Sequence, residues 1–315
     1  MKMPLARAAG AGLAAATLAL AGCGGTSGSV VHGPAHAILT AADQKALASS
    51  FEATFTGQLQ VNLSGVKPSA GTSSDELALL QTEIDAARLS GVIQFQSKHA
   101  VEVSVSLSPL LAQTLRVLDL DGNEYVFEDG KWYASSQTGS AGASAPAAGG
   151  LKAEIKSLES QLTKQAVVTN LGETQLAGQS VDHLRSTLSG SAANAAFAQM
   201  LSGMASQVGA SATPYLAKLP AIESMLQFGQ SSSDSYVLNS TGQLARTTVT
   251  WPMTINLAEL ATLLPTTTGL PSGSASLTFS FAANFSDYGK DFNLQKPSQL
   301  TPGVPPDPAG GLSAT

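Results

Sequence analysis

The chain has 315 residues and is acidic, with 22 Asp and Glu against 16 Lys and Arg, 43% hydrophobic residues and a single cysteine. No cluster of Lys and Arg is present to neutralise phosphates, which argues against nucleic acid as a partner, and no polybasic patch faces anionic headgroups. With one cysteine there is no internal disulfide, so stability rests on a hydrophobic core.

The first residues divide into three zones. Lys2 and Arg7 are basic, Ala8 to Leu20 is an apolar run rich in Ala and Leu, and Leu20-Ala21-Gly22-Cys23 closes the segment. This is the order of a secretory signal peptide, and the apolar run is shorter than the roughly 20 residues a membrane span needs. Residues 1–22 are therefore expected to be a removable signal. Leu20-Ala21-Gly22-Cys23 resembles the lipobox of bacterial lipoproteins, in which the thiol is diacylglycerylated and becomes the acylated first residue. Cys23, the only cysteine, is the expected lipidation site. Two or three acyl chains hold a protein firmly where one alone is marginal, so the membrane is an expected partner through Cys23. The expected localisation is the cell membrane, on its extracytoplasmic face.

Residues 23–38 read as a Gly/Ser/Pro-rich flexible tether and residues 301–315 as a disordered tail. Between them, 39–300 reads as one domain, with a low-complexity loop at 136–150. A helix is expected at 41–50, with Thr40 and Asp43 spaced as a capping box. From Phe51 to Ser64 every odd position is apolar or Gly and every even position polar or charged, the signature of a long strand with one buried face. Ser73 and Glu76 form a second capping-box pattern before a helix at 77–89. Strands follow at 88–97 and 100–107. Asp121-Gly122, Asp129-Gly130 and Ser240-Thr241-Gly242 read as hairpin turns, because Asp-Gly favours positive φ. Stripes at helical spacing follow: Leu151, Ile155, Leu158 and Leu162; Phe197, Leu201, Met204 and Val208; then Tyr215, Leu219, Ile222 and Leu226 behind Pro214. A last alternating strand runs through Leu277, Phe279, Phe281, Ala283 and Phe285. One-sided alternation indicates antiparallel sheet. The fold class is α+β: a curved antiparallel sheet, a half-barrel, with helices over its concave apolar face.

The order of these pieces resembles an actinobacterial and mycobacterial family of envelope lipoproteins that includes glycolipid carriers, similar in fold to the periplasmic lipoprotein chaperone of Gram-negative bacteria. The likeness spans about 40–297. It rests on the lipobox, on Asn123 through Tyr133, on Gly178 through Leu184 (a Gly-x-x-Val-x-His-like strand start), and on Phe285-Ser286-Asp287-Tyr288-Gly289 followed by Pro297. Residues 66–88 and 136–150 depart from that pattern. The resemblance implies an apolar cavity between sheet and helices, and an acyl lipid or glycolipid as cargo.

Leu59, Val61, Ile93, Phe95, Val103, Val105, Phe279 and Phe281 are the candidate cavity residues. Periodicity does not separate a lined pocket from a packed core, since both need an apolar face, so a protein-interaction module with a filled core and an envelope protein partner stands as the alternative. Met200, Met204 and Met225 fall on the expected covering helices. Asp119, Asp121, Asn123 and Glu124 lack the full EF-hand pattern and read as a turn. His32 and His36 lie in the expected tether, and His183 on a strand. There is no Gly-x-Ser-x-Gly elbow, no free cysteine nucleophile and no phosphate-binding Gly loop. No catalytic residue, metal site or cofactor is predicted, and the chain reads as non-enzymatic.

Overall fold

The structure, a computed structural model, describes residues 34–68, 73–97, 99–108, 114–128, 130–134, 165–195, 225–257 and 272–302. Cys23, the helical stripes at 151–162 and 197–208, and most of that at 215–226 lie outside these residues.

Antiparallel strands dominate. β1 (Phe51–Asn62), the two-residue β2 (Val66–Lys67), β3 (Arg88–Ser97), β4 (Ala100–Ser108), β5 (Leu115–Leu120), β6 (Asn123–Glu128) and β7 (Lys131–Ala134) make up the first part. β8 (Val167–Leu176), β9 (Gln179–Leu188), β10 (Leu226–Phe228), β11 (Ser231–Leu238), β12 (Leu244–Asn256) and β13 (Ser272–Ser286) make up the second. They join in one curved, open 13-stranded sheet in the order β7-β6-β5-β4-β3-β1-β13-β12-β11-β9-β8, with β10 beside β12 and β2 beside β13. The first long strand and the last therefore meet in the middle of the sheet, Leu59 opposite Phe279 and Phe55 opposite Ala283.

The hairpins fall where turn chemistry requires. Asp121 and Gly122 take positive φ (53° and 79°), and Asp119 Oδ1 accepts from the Gly122 N–H at 3.0 Å. This is the turn expected of the Asp119–Glu124 cluster. Pro252 stands inside the long β12, where a missing N–H ordinarily breaks the ladder. Here it falls in the gap on one flank of β12, between the last β11 pair at Thr250 and the first β10 pair at Met253.

Two helices are described from end to end, and residues 190–195 are also helical. α1 (Pro34–Ala48) starts earlier than expected. Thr40 is a mid-helix residue whose hydroxyl meets His36 Nδ1 at 3.3 Å, not a cap, and residues 34–38 are helical, not tether. The physical reason is a buried stripe: Ala35, Leu39 and Ala42 lie on Leu184, Val237 and Leu244 of the sheet, and Ala46 joins the cluster around Phe51. Pro34, which suggested a linker, sits at the helix start where its fixed φ is tolerated. α2 (Ser74–Ala86) follows Ser73 as expected, with the capping box complete: the Glu76 N–H donates to Ser73 Oγ at 3.1 Å and the Ser73 N–H to Glu76 Oε2 at 2.6 Å. It lies along β1 beyond the point where β3 stops pairing. There Asp85 Oδ1 accepts from the Val61 N–H at 2.6 Å and Gln81 Oε1 from the Leu63 N–H at 3.1 Å. Among the described residues, α1 thus covers the β8–β12 end of the concave face, and α2 closes an open strand edge. The final stretch of the third expected stripe is strand: Leu226 opens β10.

The main core centres on Phe51, 0% exposed, whose ring stacks on Phe95 at 5.0 Å and packs against Phe285 and Tyr288. Gly91, opposite Phe55 in the β1–β3 pair, leaves room for the Phe55 ring; a Cβ there would collide with that ring and with the Ser104 carbonyl. After β13 the chain runs as an extended strap. Its ties are the Gly289 N–H to the Ser50 carbonyl (2.9 Å), the Phe292 N–H to Gln96 Oε1 (2.7 Å) and the Thr301 N–H to the Trp132 carbonyl (2.7 Å). The expected tail thus begins on a residue still bound to β7.

Candidate functional site

Register places the predicted cavity residues on one face of four adjacent strands. Leu59 and Val61 of β1 oppose Phe279 and Leu277 of β13; Ile93 of β3 opposes Val103 of β4; and Val105 opposes Gly91. Ile93, Phe95 and Phe281 are buried in one cluster with Phe51 and Phe55, and Val103, Val105 and Phe279 pack against it while remaining half-buried. Phe281 stacks on Phe55 at 5.7 Å. Val61 is buried and Leu59 half-buried on the same face, outside that cluster. The end of the face beside α1 is closed by Ala46, Phe285 and Tyr288. The Tyr288 hydroxyl donates to the Leu244 carbonyl at 2.8 Å, and burial, with the Asp43 carboxylate of α1 adding to it, pushes its pKa well up.

The same face continues across β12, β11 and β9, a half that the sequence reading did not single out. Val249 opposes Phe281 on one side and Ser233 on the other, and Ser233 in turn opposes Ser186. Thr247 and Trp251 flank Val249 on β12, opposite Ala283 and Phe279. The signal was available: Thr247, Val249, Trp251, Met253 and Ile255 alternate with Arg246, Thr248, Thr250, Pro252 and Thr254. The chemistry changes across the middle of the sheet. β1, β3 and β4 present aliphatic and aromatic groups, whereas β11 and β12 present hydroxyls. Ser235 and Thr247 are 3% and 2% exposed. Ser233 Oγ, Thr247 Oγ1 and the indole Nε1 of Trp251 are shielded from solvent and meet no hydrogen-bond partner in the described structure.

The opposite face of β9 and β11 is polar and internally paired. Asp234 receives hydrogen bonds from His183 Nε2 and Arg185 Nε, both at 2.8 Å, and the His183 ring stacks on Tyr236 at 4.6 Å. Burial works to raise the Asp234 pKa, but the hydrogen bonds from Arg185 and His183 outweigh it and hold the carboxyl below its ordinary value. His183 is therefore a satisfied structural residue, as its place on a strand suggested. Among the described residues, no group of three His, Cys, Asp or Glu side chains is arranged to hold a metal ion, and no helix is long and apolar enough to cross a membrane.

No family model matches the chain, and no curated protein matches it by sequence. Solved structures do. The lipoprotein LppX of Mycobacterium tuberculosis is 10% identical with a TM-score of 0.39, over 83% of this chain and 98% of that one. LprF of Mycobacterium bovis is 11% identical with a TM-score of 0.37, over 84% and 96%. A putative outer membrane lipoprotein-sorting protein domain from Vibrio parahaemolyticus is 9% identical with a TM-score of 0.21, over 82% and 94%. The first is a lipoprotein and the third a putative lipoprotein-sorting domain, the two kinds of protein the sequence resembles. At such scores they assign no role to any residue of this chain.

Proposed function

We propose that this protein is an envelope lipoprotein, held at the extracytoplasmic membrane surface through acylated Cys23, that binds an acyl lipid or glycolipid on its concave apolar face for transport or retention. The observation that carries the reading is the continuity of that face across β13, β1, β3 and β4. It is closed beside α1 and only half-buried at Leu59, Val103, Val105 and Phe279. Binding is by burial: each methylene moved from water onto this surface contributes about 0.8 kcal/mol, so an acyl chain is held without bond-breaking chemistry. Cys23 keeps the binder where such cargo resides.

The test is mass spectrometry of what copurifies with the full chain, beside a Leu59→Trp variant that adds bulk on the half-buried stretch. Acyl lipid near one equivalent in the wild type, lost from a folded Leu59→Trp protein, supports the reading. A lipid-free wild type from a lipid-rich host refutes it. A second reading, an envelope protein-interaction module, draws on the edge strand β8, where Val167 and Leu171 are 64% and 48% exposed. In that case crosslinking through a photoreactive residue at position 171 captures a protein and Leu59→Trp has no effect on it.

A further inference from the structure

A buried donor or acceptor left without a partner costs roughly 1–3 kcal/mol, and native interiors pair nearly all such groups. Three unpaired groups on adjacent strands of a single face therefore call for a common explanation. Ser233 lies opposite Val249, and Thr247 and Trp251 stand two positions either side of Val249 on the same strand. Side chains two apart on a strand emerge on one face about 7 Å from each other, and directly opposed residues sit about 5 Å apart. The three groups form a row about 14 Å long, Thr247 and Trp251 at its ends and Ser233 beside its middle on the neighbouring strand, next to Phe279 and Phe281, the rings that begin the apolar half.

We infer that Ser233, Thr247 and Trp251 form a polar subsite for the oxygen-bearing, uncharged part of an esterified lipid, oriented so that its acyl chains run across β13 toward β1, β3 and β4. This rests on the lipid-binding reading above and names the ligand chemistry for it. The indole N–H only donates, so its partner must be an oxygen acceptor, while the two hydroxyls donate or accept. Ester carbonyls and glycerol or sugar hydroxyls meet both demands. A free carboxylate or phosphate does not fit, because the same face of β9, β11, β12 and β13 carries no Lys or Arg among the described residues to balance it; Arg185 and Arg246 belong to the opposite face, in register with Asp234 and Tyr236. A site that binds the ester through groups otherwise left unpaired also discriminates against a ligand lacking it, since that ligand leaves them unsatisfied.

The test uses the full chain in nonionic detergent, labelled with 15N at the indole nitrogens, with dioleoylglycerol and hexadecane as probes. There are two tryptophans, so a Trp251→Phe spectrum assigns the Trp251 N–H signal. Dioleoylglycerol is expected to move that proton downfield, whereas hexadecane binds without moving it. The W251F/T247V/S233A variant removes the polar atoms and leaves the face apolar. It should remain folded, with unchanged hexadecane affinity and roughly tenfold or greater loss for dioleoylglycerol, since each net hydrogen bond is worth about fivefold. If both probes bind and neither the indole signal nor the affinity ratio changes, the polar subsite is overturned while lipid binding stands. If neither probe binds, both readings fall. A variant that unfolds is replaced by Thr247→Val and Trp251→Phe singly, for which the affinity ratio must still fall.

Discussion

Two glycines on the concave face offer a direct test of how tightly β1 and β3 are fitted together. Gly57 and Gly91 both face inward on paired strands, and neither has a positive φ, so substitution probes space alone. An alanine at 57 would place its Cβ 3.3 Å from two atoms of the flexible Leu89 side chain and 3.6 Å from Phe279. Rotation of Leu89 frees the Cδ2 contact and a shift of a few tenths of an ångström relieves the one to its Cβ, so the expected cost is about 1 kcal/mol. An alanine at 91 would meet both the Phe55 ring and the Ser104 backbone carbonyl. The ring is locked by its stack on Phe281, and the carbonyl belongs to β4, so the strands must part. Overpacking of this kind costs typically 1–3 kcal/mol, and a lost ladder hydrogen bond adds about 1 more, so about 3 kcal/mol is expected for Gly91→Ala. For a domain of this size that lowers the melting temperature by roughly 6–12 °C. Phe55→Leu should offset only part of the loss, because it frees the ring contact but leaves the carbonyl. Thermal melting and urea titration of G57A, G91A, F55L and G91A/F55L are the assays. A G91A protein as stable as wild type, or less affected than G57A, would refute the register and packing described for β1, β3 and β4.

Other consequences are nearer the surface. Ser73→Ala removes the N-cap of α2 and should cost about 1 kcal/mol of local helix stability, read as faster amide exchange at Glu76 and Leu77; unchanged exchange would count against the capping box. Asp234→Asn should destabilise at neutral pH. Because the folded carboxyl titrates below its ordinary value of 3.8, its contribution is fully present above that pH and is lost as the pH falls through the lower, folded value. The stability gap between wild type and D234N should therefore be constant from pH 5 to 7 and close on further acidification; a gap that widens in acid would reverse the assignment. Replacing Cys23 with Ala should move the protein from the membrane to the soluble fraction after carbonate washing, and retention would mean that another segment holds it.

The sheet was largely readable because its strands carry strict two-residue alternation. Phe51 to Asn62 and Leu277 to Phe285 alternate cleanly, and the structure pairs them with each other. What alternation does not carry is which strands are neighbours: nothing local in Phe55 or Ala283 encodes that they face one another across most of the chain. α1 was misplaced at its start because Gly33-Pro34 has the composition of a linker, and the stripe from Ala35 to Ala46 is built largely of alanine, whose burial gives a weak hydropathy signal. The aliphatic half of the concave face was legible from Leu59, Ile93 and Val103. The hydroxyl half was only partly so: the alternation from Thr247 to Ile255 marks one face of β12, but residue type does not mark a Ser or Thr as buried, and the register that sets Ser233 beside Val249 is not local.

The meeting of β1 and β13 at the centre of the sheet bears on the order in which the molecule is made. The hairpins β3 through β7 close between near neighbours and form as soon as their residues are available, but the seam that joins them to β8 through β12 waits for the last strand. Distant pairings of this kind pay their loop-closure entropy before any contact rewards it, and they slow folding. A chain emerging N-terminus first would hold β1 with one flank unpaired until residues 272–286 arrive. During that interval the apolar row from Phe51 to Val61 lacks a partner strand on one side, the situation in which unfinished sheets aggregate. Synthesis that stops short of β13 would leave two separate meanders with no shared concave surface.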